Sequence, residues 1–251
     1  MLRDFQQDGV RYLELRTTPR ASGDSMTSEQ YVATVVSALA EFGSSQAGSP
    51  EADRMAVYLL LSVDRARHDG AAAEAVVSLA LVHQHHQLHH DGAGAGPVVG
   101  LDLCGNPLRC ADVGIFGPAF ARAKAAGLRL ALHFAEIPES STPRELETLL
   151  GFGPDRLGHV IHVPDEVCRE IALRHIGLEL CLSCNVHARL VSGGFAEHHF
   201  GYWRDKGCPI TLCVSIRSGF PDSVSWHIIP IPGRHVSQAF AQDPLLTLAA
   251  P

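Results

Sequence analysis

The stretch LRLALHFAE, residues 128–136, decides the fold of this chain. Its apolar run has the length of a strand and ends in His133, and a carboxylate, Glu136, follows three positions later. A second apolar segment, residues 156–161, also carries a histidine near its end, His159. Runs that are continuously apolar, and not alternating, are typical of strands buried on both faces of a parallel sheet. Polar groups at the ends of such strands suit an acid–base or metal site.

Seven apolar runs of this kind recur along the chain, and stretches with helical character separate them. The runs are residues 10–17, 56–63, 98–103, 129–134, 157–161, 178–183 and 210–214. The predicted helices are residues 27–42, 70–90, 112–126, 143–150, 164–175 and 197–206. Alternation of strands and helices indicates a parallel sheet. Seven strands fall one short of a (β/α)8 TIM barrel.

The composition of the chain indicates which classes of protein it can belong to. A chain of 251 residues, 46% of them hydrophobic, has enough apolar side chains for a substantial core. The net charge is −7, so the chain lacks the excess of basic residues that is typical of nucleic-acid binders. No apolar run is long enough to span a bilayer, and the first residues do not form a signal peptide. Seven scattered cysteines indicate reduced thiols. We therefore expect a cytosolic protein with no nucleic-acid or membrane partner.

Polar residues follow six consecutive predicted strands at their carboxyl ends. They are residues 16–20, Asp64 with Arg65, Asp102 with Gly105 and Asn106, His133 with Glu136, His159, and Ser183 with Asn185. In (β/α)8 barrels the reactive residues come from this end of the strands. Contact with solvent would explain one polar loop, but six together favour an active-site rim.

Several segments resemble the adenosine deaminase family, in order and with barrel spacing. They are GLDLCGNP at 100–107, LHFAEIP at 132–138, RLGH at 156–159 and LELCLSCN at 178–185. Two further segments, RTTPR at 16–20 and HHFGYW at 198–203, resemble the branch of N6-methyl-AMP deaminases. The resemblance covers roughly residues 8–213 and rests on independent motifs. It implies a TIM barrel of the metal-dependent hydrolase type.

The resemblance also implies a chemistry. The family consists of zinc-dependent deaminases, and this branch converts N6-methyl-AMP to IMP and methylamine. By resemblance His133 is a zinc ligand, Glu136 protonates the purine ring, and His159 orients or deprotonates the attacking water. Zinc lowers the pKa of its bound water, which makes hydroxide available near neutral pH. The implied partner is a small-molecule purine nucleotide, and we expect a monomer.

Further residues match positions that contact substrate in the family. Gly105 allows the purine edge to approach the backbone, because a side chain there would block it. Asp64 lies at a matching strand end and is expected to contact the ligand. The remaining candidates follow the first predicted strand and are Thr17, Thr18, Pro19 and Arg20. Two hydroxyls and an arginine can hold a phosphate, which favours a nucleoside monophosphate. The alternative is a proline turn beside a solvated arginine.

Two family motifs are absent from the sequence. The family carries a His-x-His pair on its first barrel strand, and no such pair precedes residue 83. Residues 211–213 match the start of a Thr-Asp-Asp motif region, but Val214 and Ser215 follow in place of the aspartates. Of the family's zinc ligands, His133 alone is present. We therefore expect residues 1–213 to form an incomplete barrel, without the first strand and the closing elements. Residues 214–251 are expected to form a divergent, poorly ordered tail.

Alternative functions stay open from the residues alone. The chain is either an active purine nucleotide deaminase or a catalytically inactive, nucleotide-binding variant of one. Another barrel hydrolase of the amidohydrolase type would share the metal chemistry without a preference for 6-substituted purines. The histidine tract at 83–90 and the pair Cys181 and Cys184 are types of metal ligand. A solvated helix end and buried thiols are the better interpretations of these two features.

Overall fold

Seven parallel strands form the sheet, and they lie side by side in chain order. The computed structural model describes residues 1–23, 25–84 and 96–213, and the backbone of residues 225–228. The parallel strands are β1 (Tyr12–Thr17), β2 (Ala56–Asp64), β3 (Val98–Cys104), β4 (Arg129–Phe134), β5 (Arg156–His159), β6 (Gly177–Leu180) and β7 (Ile210–Leu212). All seven predicted strands are thereby confirmed. The sheet curls into a half-barrel, an incomplete form of the predicted TIM barrel.

An eighth strand, β8 (Ser225–Ile228), pairs with the free edge of β1 in the antiparallel direction. It lies in the tail of residues 214–251, for which the sequence predicted no element. The rest of that tail is outside the described residues, so its predicted disorder and the domain boundary at residue 213 stay predictions. Strands β7 and β8 form the two edges of the sheet, and the curl brings these edges close to each other.

One helix precedes β1, and the others lie between successive strands. The helices are α1 (Leu2–Gln7), α2 (Ser28–Ser45), α3 (Gly70–Val82), α4 (Gly117–Ala125), α5 (Pro143–Gly151), α6 (Asp165–Leu173), α7 (Leu182–His187) and α8 (Phe200–Arg204). The six predicted helices correspond to α2–α6 and α8, whereas α1 and α7 were not predicted. The prediction for 112–126 divides into a 3-10 turn, Val113–Phe116, and α4. Residues 85–90 of the predicted second helix, with most of the histidine tract, are outside the described residues.

Local sequence signals explain where the helices begin and end. At the start of α2, the Thr27 hydroxyl accepts from the Gln30 backbone N–H, and the Gln30 side chain accepts from the Thr27 N–H. This reciprocal capping box satisfies two donors that the first turn leaves open. At the start of α5, the Thr142 hydroxyl caps the Glu145 N–H. After α4, Gly127 takes a left-handed conformation with φ of +87°, which is the usual way to end a helix.

The hydrophobic core lies between the sheet and the helices that cover it. Alternate residues of β2 belong to it, and Leu59 and Leu61 are fully buried. Helix α5 contributes Leu146 and Leu149 from its inner face. Burial of such a side chain stabilises the fold by about 1.5–3 kcal/mol. No disulfide joins the seven cysteines, all of which are described, as the sequence indicated. Within the described residues, no helix has the length and hydropathy of a membrane span.

Close packing of β3 against β4 predicts that Gly100→Ala destabilises the fold. A Cβ atom at Gly100 would lie 2.4 Å from the carbonyl oxygen of Arg129, which belongs to the backbone of the next strand. We expect a loss of about 1–3 kcal/mol in the free energy of unfolding, measured by urea denaturation. The control is Gly43→Ala in α2, where no atom lies within 4 Å of the new methyl group. That variant should gain about 0.5–1 kcal/mol. Equal stability of both variants would contradict the packing argument.

Candidate active site

Two histidines and a glutamate meet at the carboxyl ends of β4 and β5. In the parallel register His133 lies opposite Gly158, and Phe134 lies opposite His159. The two imidazole rings are therefore neighbours, with centroids 5.1 Å apart. Glu136 follows β4, and its Oε1 is 3.8 Å from His159 Nε2. The structure thus brings the predicted metal ligand, acid and water-orienting residue together on one rim.

The backbone that presents His159 adopts an uncommon conformation. Its φ is +65°, and that of Val160 is +46°, both in the left-handed region that side chains disfavour. Two side chains hold this turn through its carbonyl groups. His199 Nε2 donates to the His159 carbonyl at 2.6 Å, and Trp203 Nε1 donates to the Val160 carbonyl at 3.0 Å. Strain that is held in place by surrounding structure is a recurring property of functional sites.

Behind His159 lies a buried chain of polar contacts. His159 Nδ1 is 3.0 Å from the side-chain amide of Asn185, whose other end is 3.1 Å from His198 Nε2. Asn185 belongs to α7, and His198 precedes α8. The sequence analysis did not assign a site role to Asn185, His198 or His199. Their signals were weak: Asn185 was one of the polar residues after the sixth strand, and both histidines belong to the segment HHFGYW.

His133 is held by a carboxylate on the neighbouring strand. Its Nδ1 is 3.2 Å from Asp102 Oδ1, and the same oxygen accepts from Arg16 Nη1 at 2.7 Å. The hydroxyl of Ser62 donates to the other oxygen of Asp102. Burial lowers the pKa of His133, but the charge of Asp102 and the hydrogen bond to it outweigh burial and raise the pKa to about 9. A carboxylate on one ring nitrogen is the usual support for a histidine that binds metal through the other.

Below this rim the interior of the half-barrel is ionic. Arg16 on β1 donates to Glu179 on β6 as well as to Asp102. Arg156 on β5 contacts Glu179 at 3.1 Å and Glu14 on β1 at 2.5 Å. Except for Arg156–Glu179, which joins the neighbouring strands β5 and β6, these ion pairs connect strands that do not adjoin in the sheet. The sequence analysis placed Arg16 on the rim, whereas its side chain is almost fully buried, with 1% exposed.

The four residues that were predicted to hold a phosphate do not converge on one binding site. The Thr17 hydroxyl is buried and lies 2.6 Å from the hydroxyl of Tyr31 on α2. Arg20 is exposed and stacks over the ring of Tyr31, with its guanidinium carbon 5.0 Å from the ring centroid. Thr18 is half-buried beside Cys104, and Pro19 is buried. Arg20 is thus the exposed cation at this strand end, and the sequence did not indicate the role of Tyr31.

Asp64 is the last residue of β2, and Gly105 follows the neighbouring strand β3. Gly105 has φ of +95°, and a Cβ atom there would lie 2.0 Å from Asp64 Oδ1. The same carboxylate oxygen accepts from the backbone N–H of Ala66, which fixes its position. The glycine is therefore required by the backbone conformation and by the Asp64 carboxylate. The sequence argument had given only the approach of a purine as the reason.

The described residues do not fit a complete catalytic metal centre. No group of three or more His, Cys, Asp or Glu side chains that suits a metal ion occurs in the part of the chain that the structure describes. Catalytic zinc normally has three protein ligands and one open position. His133 with its Asp102 support matches a single ligand of such a centre. The Cys181 and Cys184 pair is not part of a metal-binding group among the described residues either.

Comparisons with known proteins find relatives over most of the chain. The chain matches the family model described as "Adenosine deaminase" over residues 1–216. It is 36% identical over 236 residues to "N6-Methyl-AMP deaminase" of Danio rerio, covering 90% of this chain and 62% of that protein. It is 34% identical over 227 residues to "N6-Methyl-AMP deaminase-L" of Xenopus laevis, covering 90% of this chain and 60% of that protein.

Solved structures give the same picture. The apo N6-methyl-AMP deaminase from Arabidopsis thaliana superposes with a TM-score of 0.69 at 33% identity, over 84% of this chain and 58% of that one. The Arabidopsis ADAL complexed with GMP has the same TM-score and identity, over 85% of this chain and 58% of that one. The chain therefore spans about three fifths of the length of these relatives.

The ionic interior predicts a large penalty for Arg16→Met. The substitution leaves the buried carboxylates of Asp102 and Glu179 without their shared cation. We expect a loss of about 3–5 kcal/mol in the free energy of unfolding, measured by urea denaturation. The control is Arg129→Met, whose side chain pairs with Asp155 but is 72% exposed. Exposed pairs contribute about 0–1 kcal/mol, so comparable losses in the two variants would contradict this assignment.

Proposed function

The chain belongs to the adenosine deaminase family, and from this membership we propose that the whole protein hydrolyses N6-methyl-AMP to IMP and methylamine. The convergence of His133, Glu136 and His159 on one rim carries the proposal. The printed names of the relatives, N6-methyl-AMP deaminases from several organisms, support the substrate. Because the chain spans only part of those relatives, the activity is proposed for the whole protein.

The acid–base part of the reaction follows from the geometry of Glu136 and His159. Water adds to C6 of the purine, and its oxygen becomes the C6 carbonyl of IMP. Of its two protons, one restores the carboxylic acid of Glu136, and the other goes to the methylamino nitrogen, which leaves as methylamine when its bond to C6 breaks. Glu136, as a carboxylic acid, gives its proton to the adjoining ring nitrogen during the addition, so that charge does not accumulate on the ring. His159 orients the attacking water. Its Nε2 is 3.8 Å from Glu136 Oε1, which is longer than a hydrogen bond, so the two groups are free to act on different reacting atoms.

We propose zinc as the metal that the family implies, with His133 as one ligand. The support is the Asp102 carboxylate, which holds Nδ1 of His133 and leaves Nε2 for a metal. Because the described residues do not group three ligands, they account for the acid–base steps and not for a metal-bound nucleophile.

A nucleotide substrate is proposed over a nucleoside. Arg20 is an exposed cation at the carboxyl end of β1, and its guanidinium carbon lies over the ring of Tyr31. An arginine in this position suits the oxygens of a phosphate. Structures similar to this one are complexes with GMP and with IMP, which are both nucleoside monophosphates. We also propose that the protein acts as a cytosolic monomer without a nucleic-acid or membrane partner, in keeping with its net charge of −7.

The second candidate is a nucleotide-binding protein without catalysis. One observation favours it: no three-ligand group for a metal occurs among the described residues. This candidate shares the binding residues with the first and differs only in turnover, so an assay of product separates the two.

Glu136→Gln tests the proposed acid. Purified protein with added Zn²⁺ should release methylamine from N6-methyl-AMP, and the variant should lower kcat by about 100- to 10,000-fold because an amide has no acidic proton to give. Methylamine release and IMP formation are measured together. The matched control is Glu139→Gln, an exposed residue in the same loop, which should leave kcat unchanged. A folded protein that binds IMP without any turnover would instead support the inactive candidate.

Arg20→Met tests the proposed phosphate contact. The loss of a charge-assisted contact should raise the KM for N6-methyl-AMP by about 10- to 100-fold. The KM for N6-methyladenosine, which has no phosphate, should not change, and this second substrate is the internal control. If turnover is absent, the dissociation constants of IMP and inosine give the same comparison. Equal losses for nucleotide and nucleoside would contradict a phosphate role for Arg20.

A further inference from the structure

His159, Asn185 and His198 form one buried chain of side chains behind the reactive rim. Their exposed fractions are 6%, 0% and 7%. The Asn185 amide touches both rings, with one end 3.0 Å from His159 Nδ1 and the other 3.1 Å from His198 Nε2. Buried polar atoms are paired in native proteins, and a donor cannot face a donor. The position of each proton along these three side chains can therefore be worked out starting from His198.

The far end is fixed by a backbone group. His198 Nδ1 accepts from the backbone N–H of Phe200 at 3.0 Å. A backbone N–H can only donate, so Nδ1 carries no proton. Burial, and then the neighbouring ring of His199, lower the pKa of His198 to about 4, so the ring is neutral near pH 7. A neutral imidazole has one N–H, and in His198 it must be on Nε2.

This proton sets the orientation of the Asn185 amide. The Nε2–H of His198 needs an acceptor, and the end of the amide that faces it must be the oxygen. With the amide nitrogen at that end, two donors would face each other, and rotation of the nearly symmetric amide group by 180° is the arrangement that satisfies both rings. Exchange of the two atoms keeps both distances and removes the conflict. The amide nitrogen then donates to His159 Nδ1.

We propose that Asn185 and His198 are positioning residues that hold His159 in the tautomer with its proton on Nε2, the ring nitrogen nearest to Glu136. Since Nδ1 of His159 accepts from the Asn185 amide, the single proton of the neutral ring belongs on Nε2. His159 then presents a hydrogen-bond donor to the rim. The inference rests on the proposed function only in giving His159 a role in the reaction.

The tautomer decides between two roles for His159. A ring that already carries a proton on Nε2 cannot take one from water at that nitrogen. It donates to the water oxygen instead and leaves the oxygen's lone pairs to be directed at C6. His159 is therefore a donor that orients water, and not a general base in the resting protein. The clamp of His199 on the His159 carbonyl keeps the ring in place for this contact.

The test is the long-range ¹H–¹⁵N NMR spectrum of the histidine side chains in the ¹⁵N-labelled chain without added metal, because ring nitrogens with and without a proton have distinct shifts. Comparison with His159→Gln identifies the signals of His159. Spectra are recorded over a series of pH values, and the tautomer is determined from the spectra in which the ring has the shifts of a neutral imidazole. The expected result is the pattern with the proton on Nε2. A pattern with the proton on Nδ1 would overturn the proposal.

Asn185→Asp is the decisive variant, because a carboxylate of the same shape can only accept. It should move the proton of neutral His159 to Nδ1, while the His198 Nε2–H still finds an acceptor. His198→Phe removes the donor that fixes the amide, so His159 should then populate both tautomers. The matched control is His187→Gln, an exposed residue on the same helix as Asn185, which should leave the spectrum of His159 unchanged.

The outcomes separate this inference from the proposed function. A His159 tautomer that does not respond to Asn185→Asp would overturn the role of Asn185, even if the protein deaminates N6-methyl-AMP. The expected spectra in a protein without turnover would support the inference and count against the deaminase. If a variant fails to fold, the spectrum of the unaltered chain still decides whether the proton is on Nε2.

Discussion

The buried guanidinium of Arg16 is the constraint on which the remaining structure depends. It joins carboxylates from β3 and β6 across the interior and so ties β1 to strands that are two and five places away along the sheet. Such ion pairs add little net stability, because desolvation offsets their attraction, but they are expensive to break. A slip of β1 by one residue would turn Arg16 to the opposite face. The ion pairs therefore specify register and curvature, and through Asp102 they also set the position of His133.

The two histidines of the rim differ in what supports their Nδ1 atoms. His133 is held by the carboxylate of Asp102, which favours the charged ring and suits a strong interaction with a cation once the proton is displaced. His159 is held by the neutral amide of Asn185, which fixes a direction without adding charge. Side chains of the same type, 5.1 Å apart, are thus prepared for different chemistry by their neighbours. The strands fix where the two rings lie, and the side chains that contact each Nδ1 atom determine what each ring can do.

The elements predicted from sequence were those with a local signal. Continuous apolar runs predicted β1–β7, and the polar residues at the carboxyl ends of these runs included His133, Glu136 and His159. The ionic interior was not predicted, because a charged residue within a strand indicates a rim or solvent position until its partners on distant strands are known. Helix α7 has no apolar periodicity, and β8 follows a segment with no sustained pattern. The contact of Asn185 with His198 spans 13 positions and depends on how α7 and α8 pack, which no local pattern encodes.

The close approach of Gly105 to Asp64 has a consequence for how such sequences can change. There is no room for one more carbon atom between these residues, since a Cβ at Gly105 would lie 2.0 Å from the Asp64 carboxylate oxygen. A larger residue at position 105 therefore requires a shorter side chain at position 64, and also a backbone that tolerates φ of +95°. Position 105 is thus constrained by its neighbour across the rim, whereas position 64 can lose side-chain atoms without a clash.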